Sequence, residues 1–346
     1  MKYLDMLLEK LTQAIGVGYA GDISTVIEQV LKDDNIPVNI EKDGSVSVHL
    51  KGSGKGAVML ACHIDEIGFM VSRIDDAGRI FFSEIGGTDV RILPGQEVVI
   101  LGKRRHNGYV AVKPPHLLGK EEREEVPRHD NLFVDVGLAP ATVKKDIRVG
   151  DCIVIAGRYG KLSDELRTAK ALDNRASVAC GILVLRELAK TDHALDLHFV
   201  ATSQEEYTGL GARIHAYRLP LDYAIVVDVT HAEHPDLKEY DYYPLNDGPT
   251  IVRGATVPAR LFELLVDTAK RLEIPYQIEP VPSATATDAD DIAFVREGIP
   301  TCVVNIPLRY MHTPVEVVSL KDIERAARLI THFIDELGDL PIPYLT

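Results

Sequence analysis

Residues 195–212, LDLHFVATSQEEYTGLGA, decide the fold. The apolar run at 195–203 predicts a core strand, the pattern from about 209 to 217 predicts a helix, and "YAIVVD" at 223–228 predicts a second buried strand. Strand, helix and strand in that order form a crossover unit, which implies a mostly parallel sheet covered by helices on both faces. The stretch also contains a difficulty. Glu205 and Glu206 stand side by side where the core strand ends, and neighbouring carboxylates there cost free energy unless something offsets their charge.

The same rhythm extends in both directions. Toward the C-terminus, helices fit 259–272, 289–297 and 319–336, with a strand at "PTCVVNI" (300–306). Toward the N-terminus, a helix runs from Asp173 through Lys190, and helices at about 3–15 and 22–33 precede an alternating run, 38–50, that turns at Lys42-Asp43-Gly44 like a hairpin. "GAVMLAC" (56–62) is a continuous apolar strand ending at His63. From Gly68 to about Ser163 the texture changes to short β-rich pieces divided by "DDAG", "EIGGTD", "LPGQ", "PPH" and "RVGD", with no long helical period.

The expected architecture is therefore α/β: a mostly parallel or mixed sheet sandwiched by helices at 1–68 and 164–346, interrupted at 69–163 by a small inserted β-barrel-like domain. Inside the insert, "GKEEREEVPRHD" (119–130) reads as a solvated charged loop. "KGSGKGA" (51–57) imitates a phosphate-binding loop, but Lys55 is followed by Gly and the segment leads into a strand, so a hairpin connection is the better reading.

Composition narrows the function. At 346 residues and 46% hydrophobic content, the chain can bury one large core, or one core and a smaller second domain. A net charge of -14 argues against a nucleic-acid or anionic-membrane surface, while an acidic chain can still concentrate cations. The N-terminal stripe of Leu4, Leu7, Leu8, Leu11 and Ile15 is interrupted by Asp5 and Glu9, an amphipathic helix rather than a signal sequence. No run approaches membrane-spanning length. Cys62, Cys152, Cys180 and Cys302 sit singly, with no Cys-x-x-Cys, which predicts buried free thiols in a reducing cytoplasm.

In open α/β sheets, ligands gather outside the carboxyl ends of the strands. Five segments put metal-capable side chains there: "VMLACHIDEIG" gives His63 and Asp65, "AKALDNRAS" gives Asp173, "FVATSQEE" gives Glu205 and Glu206, "AIVVDVTH" gives Asp228, and "VVNIPLRYMHTP" leads to His312. Alone, each has an ordinary reading: a hydrogen-bonded His, a helix-capping Asp, a solvated Glu pair, an Asp at a cleft. Together they make an oxygen and imidazole set suited to Zn, Mn or Co.

Three carboxylates, Asp173, Glu206 and Asp228, bring about -3 against the +4 of two divalent ions, the charge balance of two-metal hydrolysis. Five side chains hold two ions if one bridges, and Asp173, at a strand-to-helix junction, is the natural bridge. Asp65 follows His63 closely enough to orient its ring rather than bind its own ion. Adjacent side chains at a strand end point apart, so Glu206 can face a metal while Glu205 faces the attacking water as general base.

In this order, "HIDEIG", "DNRAS", "TSQEE", "VDVTHA", "TATDAD" and "RYMHTPVE" resemble the tetrahedral aminopeptidases, dinuclear metallopeptidases that include glutamyl, leucyl and deblocking aminopeptidases. The resemblance spans essentially the whole chain. It implies that His63 and Asp228 bind one ion, that Glu206 and His312 bind the other, and that Asp173 bridges, with Glu205 as base and Asp65 orienting His63. It also implies an inserted β domain that mediates subunit contacts in a tetrahedral dodecamer, and a cis peptide after Asp173. Where the family usually reads Val-Gly-x-Arg-Gly-Ala after the glutamate pair, this chain has Tyr207-Thr208-Gly209-Leu210-Gly211-Ala212, which keeps Gly-Ala and loses the basic residue. Asn174 stands where Asp is also common.

The expected function is a cytoplasmic aminopeptidase that removes N-terminal residues from short free-amine peptides, using water activated by two divalent ions. The alternatives are an N-acyl amino acid or peptide deacylase with the same site, a glycoside hydrolase using paired carboxylates, and a non-catalytic metal-dependent scaffold. Glycosidases need no His63 and His312, the chain has no Trp for sugar stacking, and a scaffold has no use for Glu205. Arg253, His231, His234 and Arg309 lie near the site segments, either shaping a pocket for acidic residues or serving the structure.

Overall fold

All seven side chains of Ala57–His63 are buried, as an unbroken apolar strand requires when both sheet faces are covered. It pairs in parallel with Asp196–Thr202 on one side and with Tyr223–His231 on the other, and Tyr223–His231 runs parallel to Thr301–Arg309. The carboxyl ends of these four strands share one edge. Further strands, among them antiparallel Val46–Leu50 beside Asp196–Thr202 and Glu316–Ser319 beside Thr301–Arg309, bring the sheet to 11 strands among the described residues. The computed structural model describes residues 1–54, 56–120, 124–235, 238 and 242–338. Lys55 of the glycine-rich loop and Glu121, Glu122 and Arg123 of the charge run lie outside them.

Helix Leu172–Leu188 packs against the sheet, with Lys2–Gln13 and Leu320–Leu337 against it. Leu320–Leu337 buries Leu320, Ile323, Ala327, Ile330 and Ile334 along one stripe, and the Ser319 hydroxyl caps it by accepting the Lys321 and Asp322 amides. Regular helix begins only after Asn174: Ala171 is left-handed, Asp173 and Asn174 have non-helical angles, and the peptide between them is cis. This lead-in turns Asp173 out toward the strand ends.

The sequence between Gly68 and Ile155 forms a closed six-stranded barrel of Gly68–Ile74, Ile80–Ile85, Glu97–Leu101, Arg105–Val112, Leu132–Asp135 and Cys152–Ile155. Its interior is separate from the main core and consists of residues such as Phe69, Phe82, Val98, Val110 and Ile153. The chain rejoins the large sheet at Gly160–Lys161, a few residues before the 164 read from the sequence.

Three local expectations change. The helix expected at 289–297 is Asp288–Ala293, and the left-handed Arg296 and Gly298 that follow cannot continue it. The strands expected to end at 228 and 306 run on to His231 and Arg309. Cys62, Cys180 and Cys302 are buried free thiols, but Cys152 is only partly buried.

Candidate metal centre

Parallel strands deliver their last side chains to one edge, and the chain uses that edge for charge. His63 ends its strand and is 2% exposed. Its Nε2 lies 3.1 Å from Asp173 Oδ1, 3.7 Å from Asp228 Oδ1 and 3.9 Å from Glu205 Oε2. His312, across the cluster, has its Nε2 3.3 Å from Asp173 Oδ2 and 3.5 Å from Glu206 Oε2. Asp173 thus turns one oxygen to each of two imidazoles, and each imidazole has its own second carboxylate. All seven residues singled out in the sequence converge on this cluster.

Asp65 lies beside His63 but not as expected: its Oδ1 is 3.6 Å from His63 Nδ1, and the nearer acceptor is its own main-chain carbonyl at 3.3 Å. Its carboxylate accepts the backbone N–H groups of Glu205 (2.9 Å) and Glu206 (3.1 Å). Left-handed Gln204 makes the turn that presents both amides. The carboxylate of Asp65 therefore holds the backbone of the glutamate pair, while its main-chain carbonyl, 3.3 Å from His63 Nδ1, is the partner of the His63 ring. Glu205 and Glu206 face different imidazoles, as expected, but they stand in a turn beyond the strand that ends at Thr202, so the turn and not strand alternation parts them. Asp228 sits within its strand rather than at its end, opposite Asn305.

Sequence reading assigned no role to Glu316. It is 2% exposed, and its carboxylate accepts the Asp173 amide (3.1 Å) and the His312 amide (2.8 Å), joining the loops that carry those two side chains. The signal was present as the last letter of "HTPVE". Behind the cluster, Lys170 Nζ lies 2.5 Å from Glu66 Oε2, a buried pair beside fully buried Arg175. The barrel approaches at left-handed Gly86, where a Cβ would clash with Ile67 Cγ2 at 2.7 Å and come into van der Waals contact with Glu206 Oε2 at 3.5 Å.

Burial pushes the Glu205 carboxyl up to about 7 and the Glu206 carboxyl up to about 8, and nearby Asp173 adds to both. Burial likewise holds Asp228 and Glu316 well above the usual carboxylate range. Burial would raise Asp173 as well, but hydrogen bonds from His312 and His63 hold it low. Burial opposes charge on His312, yet Asp173 and Glu206 lift it to about 9. Crowded carboxylates that hold protons this firmly are suited to divalent cations, which displace those protons and relieve the repulsion. The geometry fits such ions: one ligand atom each from His63, Asp173 and Glu206 lie within 4.8 Å of one another.

Of the four basic residues near the site segments, His231 lines the adjoining cavity. Arg253 lies over the Phe262 ring, Arg309 pairs with Glu233, and His234 Nδ1 meets the Pro235 carbonyl. None of these three lines the cavity.

A profile of the M42 glutamyl aminopeptidase family matches residues 44–329. A lysyl aminopeptidase of Pyrococcus furiosus is 33% identical over 338 residues, 96% of each chain. A TET aminopeptidase from a marine-sediment Thaumarchaeota archaeon superposes with a TM-score of 0.91 at 29% identity, covering 97% of both chains. The Pyrococcus horikoshii TET1 peptidase, described as assembling into a tetrahedron or a large octahedral shell, superposes at 0.83 with 26% identity, covering 96% of this chain and 99% of the other. With the family profile over most of its length and the fold matched end to end, the chain belongs to the M42 peptidases, the tetrahedral aminopeptidases that its motifs resemble.

Proposed function

We propose that the chain removes N-terminal residues from short peptides as a dinuclear metal-dependent aminopeptidase. The observation that carries this reading is the division of Asp173, with Oδ1 toward His63 and Oδ2 toward His312. His63 and Asp228 would hold one divalent ion, Glu206 and His312 the other, and Asp173 both. Zn, Co or Mn suits these donors, and such ions supply Lewis acidity and lower the pKa of water. Glu205 Oε2 would take the proton of the attacking water and return it to the leaving amine, a role suited to a carboxyl held near neutrality. Asp65 and Glu316 would act as positioning residues through the backbone amides they accept.

The family membership favours this reading over a deacylase or a glycoside hydrolase. We further propose that the barrel mediates self-assembly into a tetrahedral dodecamer. Its exposed Tyr109 and Val149 and the shell described for the P. horikoshii protein support that role. No helix among the described residues is long and apolar enough to cross a membrane, and the free thiols fit a cytoplasmic location.

The test compares free-amine short peptides with N-acetylated copies, before and after exhaustive chelation. Free peptides should be cleaved, acetylated ones should resist, and chelation should abolish cleavage until Zn, Co or Mn is restored. Equal rates on both peptide forms would favour the deacylase, and full activity after chelation would refute the metal mechanism.

A further inference from the structure

The edge cavity, about 600 Å³, runs from His63 and Glu206 to a carboxylate with no part in the proposed mechanism, that of Glu279. Glu279 Oε1 accepts the Thr230 hydroxyl at 2.8 Å, and Oε2 accepts the Thr250 hydroxyl at 2.5 Å and Asn305 Nδ2 at 2.9 Å. Thr230, Thr250 and Asn305 are each at most 7% exposed, so the carboxylate is held from within the fold. All three donors are neutral and leave its charge uncompensated. A carboxylate has about four lone-pair sites, so Oε1 can still accept from a ligand.

A second group points the same way. Because the Asn305 amide must turn its NH2 toward Glu279, its Oδ1 is an acceptor, and that buried atom has no partner among the described residues. Beyond the proposed metal centre, the cavity's other acids are Asp291, paired with Arg213 at 2.6 Å, and Asp290, which accepts the amide and hydroxyl of Thr285 and the Ala286 amide and so closes its own loop. Among the described residues, no Lys or Arg lines the cavity. Arg253 is adjacent in sequence to Val252, the partner of Glu279 in the sheet, so alternation sends it to the opposite face, over Phe262.

Position sets what this pair can read. Thr230 follows Asp228 by two residues on one strand, so Glu279 is anchored about 7 Å along the same face from a proposed metal ligand. A peptide with its first residue at the metal centre would direct that residue's side chain there. We infer that Glu279 and Asn305 select substrates whose N-terminal residue carries a cationic side chain, lysine or arginine. An ammonium or guanidinium offers several donors to satisfy both acceptors. An apolar side chain leaves Asn305 Oδ1 unpaired, and an acidic one meets Glu279 as a like charge. The inference rests on the aminopeptidase reading above and specifies its substrate class.

The test measures kcat/KM for lysyl, norleucyl and glutamyl chromogenic anilides with the assembled enzyme loaded with Zn, Co or Mn. Lysine and norleucine share a straight side chain and differ in the terminal ammonium. The lysyl-to-norleucyl ratio should be about 10–100, the value of a charged hydrogen bond, with glutamyl the poorest. In Glu279→Gln the ratio should fall toward one. A wild-type ratio at or below one overturns the inference, whether or not the variant folds. A Glu279→Gln loss equal for lysyl and norleucyl substrates also overturns it, because Glu279 would then read the α-amine or only support the fold. Hydrolysis without lysyl preference sinks this inference alone; no hydrolysis of any aminoacyl substrate sinks the aminopeptidase reading with it.

Discussion

The carboxyl edge of the large sheet and the interior of the barrel are both buried, but they are built from opposite materials. At the sheet edge, His63, Asp65, Asp173 and Asp228 are each at most 7% exposed and crowd against one another. In the barrel the enclosed side chains are hydrocarbon apart from His106, with Phe69 edge-on to Phe82 at a centroid distance of 4.9 Å. Burying hydrocarbon stabilises by roughly 25 cal/mol per Å², whereas burying like charges costs free energy until cations offset them. The two regions therefore separate what the fold needs from what the chemistry needs, and the same kind of substitution should act differently in each.

At the sheet edge, Glu205→Gln should lower turnover by roughly 10²–10⁴-fold, the contribution of a positioned general base. Bound metal should stay near the wild-type amount, and the folded state should not lose stability, because a buried charge has been removed. Steady-state kinetics, elemental analysis and a melting curve check all three. A variant that kept its turnover would break the contrast, because the pair would then be structural.

In the barrel, Phe69→Ala should cost about 3–5 kcal/mol of stability, the usual penalty for emptying an aromatic site in a packed core. Metal bound per folded chain should hold steady. Denaturant unfolding measures the loss, and a near-zero cost would mean that this interior is not close-packed. A Phe69→Ala protein that stayed folded but lost its metal would show that the barrel shapes the site more directly than Gly86 suggests.

The parallel sheet was legible in the sequence because its four central strands are long and apolar. The site was legible because charge at the ends of such strands is costly to bury without a cation, and five separate segments place it there. Thr250–Gly254 and Gln277–Val281 were not read as strands. They are five residues each, and pairing partners distant in sequence hold them. That blind spot hid Glu279, which lies on the second of them. Glu316 stayed without a role because its partners are backbone amides, and no side-chain pattern announces those. Asp65 was half read: its closeness to His63 is a local fact, but its hold on Glu205 and Glu206 spans about 140 residues and exists only in the fold.

The central claim is that Asp173 serves two ions at once, and metal content per chain in Asp173→Ala and Asp228→Asn tests it most directly. With excess Zn, Co or Mn removed by gel filtration, the wild type should retain about two ions per chain, the count expected of a two-metal site. Asp228→Asn should weaken the site beside His63 and keep the other ion. Asp173→Ala should weaken both sites and fall below one ion, with circular dichroism confirming that the chain remains folded. A folded Asp173→Ala protein that still held one full ion would contradict the account, because Asp173 would then belong to a single site.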